Sequence, residues 1–175
     1  MHPAIVPCDC KIILDVDSPG GTVTGVPELA ALIRKARRSK PITAISNARM
    51  ASAAYWIGAS ASEIVAVPSG EVGSIGVFIL HLDQSARLEQ IGLKATFIKA
   101  GKHKAEGNSL EPLTDDAKAY FQRGVDRVYR EFVGAVAAGR GVPVSTVEAA
   151  FGQGRMVDAR EALKAGMIDR IATFS

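Results

Sequence analysis

The chain has 175 residues, enough for one domain with a real core and too few for two of ordinary size. Its 47% apolar and 22% charged residues exclude a disordered chain, and a net charge of only +3 gives no footing for nucleic-acid binding. No apolar run approaches the ~18 residues of a membrane-spanning helix, and "MHPAIVPCDC" lacks the basic start and apolar block of a secretory signal.

Cys8 and Cys10, the only cysteines, are spaced C-x-C without a second pair. This excludes a structural zinc site or a disulfide framework and makes reduced thiols the default. "KIILDVD" at 11–17 is a β-branched run stopped by "SPGG", which predicts a strand feeding a tight turn. Val26, Leu29, Leu32, Ile33 and Ala36 recur at helical spacing, with Pro27 suited to the first turn. "RKARRSK" at 34–40 reads as the solvated end of that helix, where cations favour the dipole. "ITAIS" at 42–46 predicts a strand, 50–61 a helix of small residues, and "EIVAV" at 63–67 a third strand. "GSIGVFIL" at 73–80 is expected to turn into a further strand. Asp83 to Ile91 reads as a helix stopped by Gly92, and "KATFIKA" at 94–100 as a strand.

Residues 101–113 are polar and irregular. A long helix then opens at Thr114 or Asp115 and carries Phe121, Val125, Val128, Phe132 and Val136 on one stripe. "STVE" at 145–148 and "DARE" at 158–161 have the spacing of capping boxes and predict two short closing helices. Strands alternating with helices define an α/β class with largely parallel strands, with residues 1–175 as a single domain.

Two stretches carry chemistry. In "DSPGG" the paired glycines turn the chain sharply and leave backbone amides unshielded, as an oxyanion site requires. In "MASAAYW" at 50–56, Ser52 stands at a helix start among small residues, with the Ala53 amide beside it. On local grounds alone Ser52 reads as a helix cap or a buried small residue. A nucleophilic serine needs a base. His2, His81 and His103 form no compelling Ser-His-Asp order, and "AGKHKAEGN" at 100–108 offers Lys102, His103 and Lys104 in a glycine-flanked loop. Burial and neighbouring positive charge are what would let a lysine serve as base near neutrality.

"DVDSPGG", "MASAAYW", "GSIGV" and "AGKHKAEGN", in that order and spacing, resemble the S49 family of serine peptidases. That family includes signal peptide peptidase A and the capsid-associated peptidases of tailed phages. The likeness runs from about Lys11 to Asp169 and includes "GRGVPVSTVEAAFGQGRMVDAREALKAGMID". The lysine loop is more similar to the phage capsid branch.

The resemblance implies a ClpP/crotonase-like fold and an endopeptidase using a Ser–Lys dyad. Ser52 would be the nucleophile and Lys104 the general base. Gly20 or Gly21 with Ala53 would form the oxyanion hole, and Gly73, Ser74, Ile75 and Gly76 a glycine turn against the substrate. It implies no metal and no cofactor, a peptide or protein substrate such as a capsid or scaffold protein or a signal-peptide remnant, and a homo-oligomer whose active sites are shared between protomers. No nucleic acid or membrane anchor is expected, and the location is cytoplasmic, or a prohead for a phage protein. Two features depart from the family pattern: Ala53 stands where many members have glycine, and only about ten residues precede the first strand, as in a truncated start.

Three other readings stay open. One is a ClpP-like Ser-His-Asp peptidase with His81 as base and Asp83 as its orienter. The second is a crotonase-type acyl-CoA enzyme with paired oxyanion amides. The third is an inactive S49-like assembly component.

Overall fold

The β-branched run before the Pro-Gly-Gly turn forms strand β1 (Ile12–Ser18), and the next forms a longer β2 (Ile42–Ala51) parallel to it. Ile12 pairs with Ile42 and Val16 with Ser46, but Ser18 pairs with Met50, so two steps along β1 match four along β2. The extra residues at 47–49 are exposed and form a bulge, which bends β2 and re-aims its last residues.

Since β1 occupies one edge of β2 along nearly its whole length, the remaining partners share the other edge. Strand β3 (Glu63–Ala66) pairs parallel with residues 43–46, and β4 (Glu71–Gly73) with residues 49–51. Strand β5 (Met156–Asp158) runs antiparallel to β4, and β6 (Arg170–Ile171) parallel to β3. The sheet is mostly parallel, as an alternating strand–helix sequence requires.

The helices are α1 (Val26–Ala36), α2 (Ala53–Gly58), α3 (Ser85–Gln90), α4 (Asp115–Arg140), α5 (Val144–Ala150) and α6 (Ala159–Ala165). The computed structural model describes residues 10–173 and divides into two units. One contains the chain up to Gly76 and from Tyr129 onward, and holds the sheet. The other runs from Val77 to Val128. Among the described residues no helix is long and apolar enough to cross a membrane.

The core of the first unit draws on the sheet, α2 and the second half of α4. Ile42, Ala44, Ile64, Val65 and Val72 of the sheet are buried, as are Tyr55 and Trp56 of α2 and Phe132, Val133 and Val136 of α4. Trp56 stacks on Phe132 with ring centroids 4.8 Å apart. The basic run ending α1 is partly structural. Arg37 donates to the carbonyls of Ala61 at 2.6 Å, Ser60 at 3.3 Å and Gly139 at 3.4 Å.

Several elements differ from the sequence pattern. Met50 and Ala51 belong to β2 because β4 supplies their backbone partners, so the helix expected over 50–61 is only Ala53–Gly58. Neither "GSIGVFIL" beyond Gly73 nor "KATFIKA" forms a strand. A strand needs an edge for its amides and carbonyls, and none of the described residues offers one here. Phe78, Leu80 and Ile98 are consequently exposed.

"STVE" does not cap a helix: α5 begins one residue earlier, behind Pro143, with no side-chain cap. "DARE" does: Asp158 Oδ1 accepts from the amides of Arg160 at 2.8 Å and Glu161 at 3.0 Å. Cys10 is disulfide-bonded and not the reduced thiol expected, while Cys8 lies outside the described residues.

Candidate active site

At the end of β1 the chain turns through Ser18, Pro19, Gly20 and Gly21. Gly20 has φ +90°, and a Cβ there would lie 2.6 Å from Ser52 Cβ, 2.8 Å from the Ala51 carbonyl oxygen and 3.1 Å from the Ala53 nitrogen. Only glycine satisfies both the conformation and the contact. The Gly20 amide donates to Ser18 Oγ at 3.2 Å. Gly21 is exposed, with nothing within 4 Å of where its Cβ would be, and its amide has no hydrogen bond among the described residues. The Ala53 amide, at the first position of α2, makes no hydrogen bond among the described residues.

Ser52 joins β2 to α2 with φ +52° and ψ −122°, a region L-residues rarely adopt. Its amide donates to the Gly73 carbonyl at 2.8 Å, and its carbonyl accepts from the Trp56 amide at 3.0 Å. Its half-buried side chain makes no capping hydrogen bond. The helix-cap alternative therefore fails, and among the described residues the hydroxyl is uncommitted.

The glycine turn at 73–76 lies directly behind this serine. Gly73 has φ +114° and Ser74 φ +52°, and the Ser74 amide donates to the Arg155 carbonyl at 2.8 Å. Ile75 is 3% exposed and packs inward, whereas Ser74 and Gly76 are half-buried. The turn is thus in place, with the Gly73 carbonyl already used to hold Ser52.

A partly buried polar network reaching from α2 to the end of the chain's last helix left no sequence signal. The Tyr55 hydroxyl donates to the Met167 carbonyl at 2.8 Å. Burial pushes the Tyr55 phenol far above its ordinary range. Arg140 donates through Nε to the Gly166 carbonyl at 3.0 Å and through both terminal nitrogens to Asp169 at 2.7 and 2.8 Å. Asp169 Oδ2 also accepts from the Ile64 amide at 2.7 Å. Burial alone would raise the Asp169 carboxyl. The hydrogen bonds from Arg140 and Ile64, together with the Arg140 charge, hold it below its usual value.

Lys104 belongs to the second unit. It lies in the turns of 101–107, exposed, with its amide donating to the Gly101 carbonyl at 3.2 Å. Among the described residues its ammonium makes no ion pair. The loop is fixed by its neighbours. His103 Nδ1 contacts the Glu106 carboxylate, Asn108 Nδ2 donates to the Ala105 carbonyl at 2.7 Å, and Asn108 Oδ1 accepts from the Leu110 amide at 2.7 Å. His81 Nε2 donates to the Asn108 carbonyl at 2.7 Å, and Asp83 accepts from the Ser85 amide at 2.9 Å. Both groups proposed for a Ser-His-Asp order thus have partners within the second unit, His81 across to Asn108 and Asp83 in its own turn.

A mostly parallel sheet flanked by helices, with a serine at positive φ between a strand and a short helix, is a ClpP/crotonase-like α/β protein. Solved structures of the 1510-N membrane-bound stomatin-specific protease share the fold. A serine-to-alanine mutant superposes with a TM-score of 0.56 at 19% identity, covering 93% of this chain and 64% of that one. A lysine-to-alanine mutant in complex with a substrate peptide also gives 0.56, at 20% identity.

The chain belongs to peptidase family S49, whose sequence profile matches residues 34–175. Capsid assembly protease C of Escherichia phage lambda is 35% identical over 163 residues, 91% of this chain and 36% of that protein. Head-tail preconnector protein GP5 of Enterobacteria phage P21 is 30% identical over 164 residues, 94% of this chain and 32% of that protein. Protease 4 of Haemophilus influenzae is 27% identical over 169 residues, 94% and 26% respectively. The chain spans about a third of the length of these relatives.

Proposed function

We propose that this chain is the catalytic domain of a serine endopeptidase, with Ser52 as nucleophile, Lys104 as general base, and the Gly21 and Ala53 amides as oxyanion hole. The observation that carries the reading is the uncommitted Ser52 hydroxyl, held at φ +52° with Gly20 packed against it. Gly21 is preferred over Gly20 as donor because Ser18 already takes the Gly20 amide.

In the proposed reaction Ser52 Oγ attacks the scissile carbonyl carbon while its proton passes to the neutral Lys104 amine. The carbonyl oxygen becomes an oxyanion facing the two amides, each worth about 2.7–4 kcal/mol in the transition state. Collapse breaks the C–N bond, and the leaving amine takes the proton from the lysine. Water then adds to the acyl-serine ester, gives a proton to Lys104, and the ester bond breaks with that proton returning to Ser52.

Substrates are extended segments of capsid or scaffold proteins, or signal-peptide remnants, met in the cytoplasm or a prohead. The names of the phage relatives favour the first of these. The working form is a homo-oligomer in which serine and lysine come from neighbouring protomers. A Lys104 that is exposed and without an ion pair among the described residues supports this, since a neighbour's surface would supply the desolvation a neutral amine needs. So does the exposed apolar run Phe78, Ile79, Leu80 and Leu82.

The test is fluorophosphonate labelling with peptide mapping, then mixing of two inactive variants. Label on Ser52, and loss of hydrolysis in both Ser52→Ala and Lys104→Ala, are expected. Subunit exchange between the two should restore part of the activity. More than a tenth of wild-type activity in Ser52→Ala would remove the nucleophile assignment. Mixed oligomers, verified by native mass spectrometry, that stay inactive would remove the shared site.

A further inference from the structure

The main chain at Ser52 adopts a conformation that persists only where its surroundings over-determine it. Its amide is anchored by the Gly73 carbonyl at 2.8 Å. Gly73 is itself a residue of wide conformational freedom, at φ +114°, so its carbonyl direction has to be fixed from outside. Two groups close on it: the Arg155 carbonyl oxygen and the Met167 methyl lie 3.0 and 3.2 Å from where a Gly73 Cβ would sit.

Met167 is fully buried, and its amide is bound to the Ala162 carbonyl at 2.8 Å. Its carbonyl takes the Tyr55 hydroxyl at 2.8 Å. Tyr55 stands one turn along α2 from Ser52, so the path closes on itself: Ser52, Gly73, Met167, Tyr55, and back along the helix. Arg140 and Asp169 hold the segment on either side of Met167, through the Gly166 carbonyl and the Ile64 amide. A phenylalanine would fill the same space. The tyrosine hydroxyl adds only the bond to Met167, and since burial keeps the phenol protonated it remains a donor.

We propose that Tyr55 is a positioning residue for the nucleophile, setting the Ser52 turn through Met167 and Gly73. The proposal rests on the reading of Ser52 as nucleophile for its catalytic consequence, but not for its structural one.

The experiment compares Tyr55→Phe with wild type in the full chain. Expected are a kcat and a fluorophosphonate labelling rate at Ser52 each about tenfold lower, the equivalent of one hydrogen bond of the usual net strength. KM should stay within about twofold, since no substrate contact is removed. Hydrogen exchange at the Ser52 amide should quicken by a similar factor. Val147→Ala, a core truncation in α5, serves as the stability control: it should lower Tm without changing labelling or Ser52 exchange. Met167→Leu, which keeps the bulk but displaces the methyl under Gly73, should reproduce the faster exchange and provides the test if Tyr55→Phe fails to fold.

A Tyr55→Phe protein with lower Tm but wild-type labelling, kcat and Ser52 exchange would overturn the proposal, leaving Tyr55 a core residue only. If wild-type protein is not labelled at Ser52, the nucleophile reading falls instead. The exchange rate at Ser52 then decides separately whether Tyr55 sets the turn.

Discussion

A methyl group added to Gly20 would lie 2.6 Å from the Cβ of Ser52, closer than real Cβ atoms approach. Gly20→Ala therefore has to displace the serine turn or the end of β1, and also forces φ +90° on a residue with a side chain. The expected cost is about 3 kcal/mol of stability, on the scale of an overpacked core plus a strained backbone. Activity per folded molecule should fall at least about a hundredfold, comparable to losing an oxyanion donor. Gly21→Ala, with open space around it, should be nearly neutral in chemical denaturation. Equal denaturation midpoints for the two variants would contradict the packing described.

The strain at Ser52 has a thermodynamic signature. Ser52→Gly should be more stable than Ser52→Ala by about 1 kcal/mol, because glycine adopts φ +52° and ψ −122° without steric conflict while its entropic cost offsets only part of the relief. Both variants should be inactive. Urea midpoints measured side by side decide it. If the alanine variant is the more stable, the turn is not strained.

Much of this corner could be anticipated from composition and spacing. Gly20 and Gly21 come after a β-branched strand, and Ser52 after a second, which is enough to foresee two turns meeting at one end of a parallel sheet. The strands β5 and β6, of three and two residues, are too short to show any period. Phe78 to Leu80 and Thr96 to Ile98 have strand-like side chains but no paired edge, so propensity alone misleads there. The Tyr55–Met167 bond joins residues 112 positions apart, and neither has a neighbour that announces it.

The two capping-box patterns make a paired test. Asp158→Ala removes two charge-assisted bonds at the start of α6 and should cost about 1–2 kcal/mol. Ser145→Ala removes no cap, because α5 starts behind Pro143, and should change stability by less than about 0.5 kcal/mol. Thermal melts of the single variants check this directly, and a loss at Ser145 equal to that at Asp158 would contradict the assigned start of α5.

Asp169 links stability to pH. Its carboxyl is depressed in the folded protein, so the folded state holds the carboxylate more firmly than the unfolded chain does. That contribution is complete above the ordinary aspartate value of ~4 and is lost as pH falls through the depressed one. Asp169→Asn should cost about 1 kcal/mol between pH 6 and 8, the modest scale of a partly solvated pair. The gap to wild type should close on acidification. A gap that stays constant down to pH 2 would show that the Arg140–Asp169 charge pair is not its source.

The Tyr55–Met167 bond also bears on timing during synthesis. Ser52 and its turn leave the ribosome long before Met167, which lies 112 residues after Tyr55, and before β6, which completes the edge of β3. Until that late segment emerges, Gly73 lacks the methyl that backs it and the Tyr55 hydroxyl lacks its acceptor. A nascent chain therefore carries the hydroxyl without the rigidity that aims it. The turn at Ser52 is completed only when the chain as far as β6 has emerged.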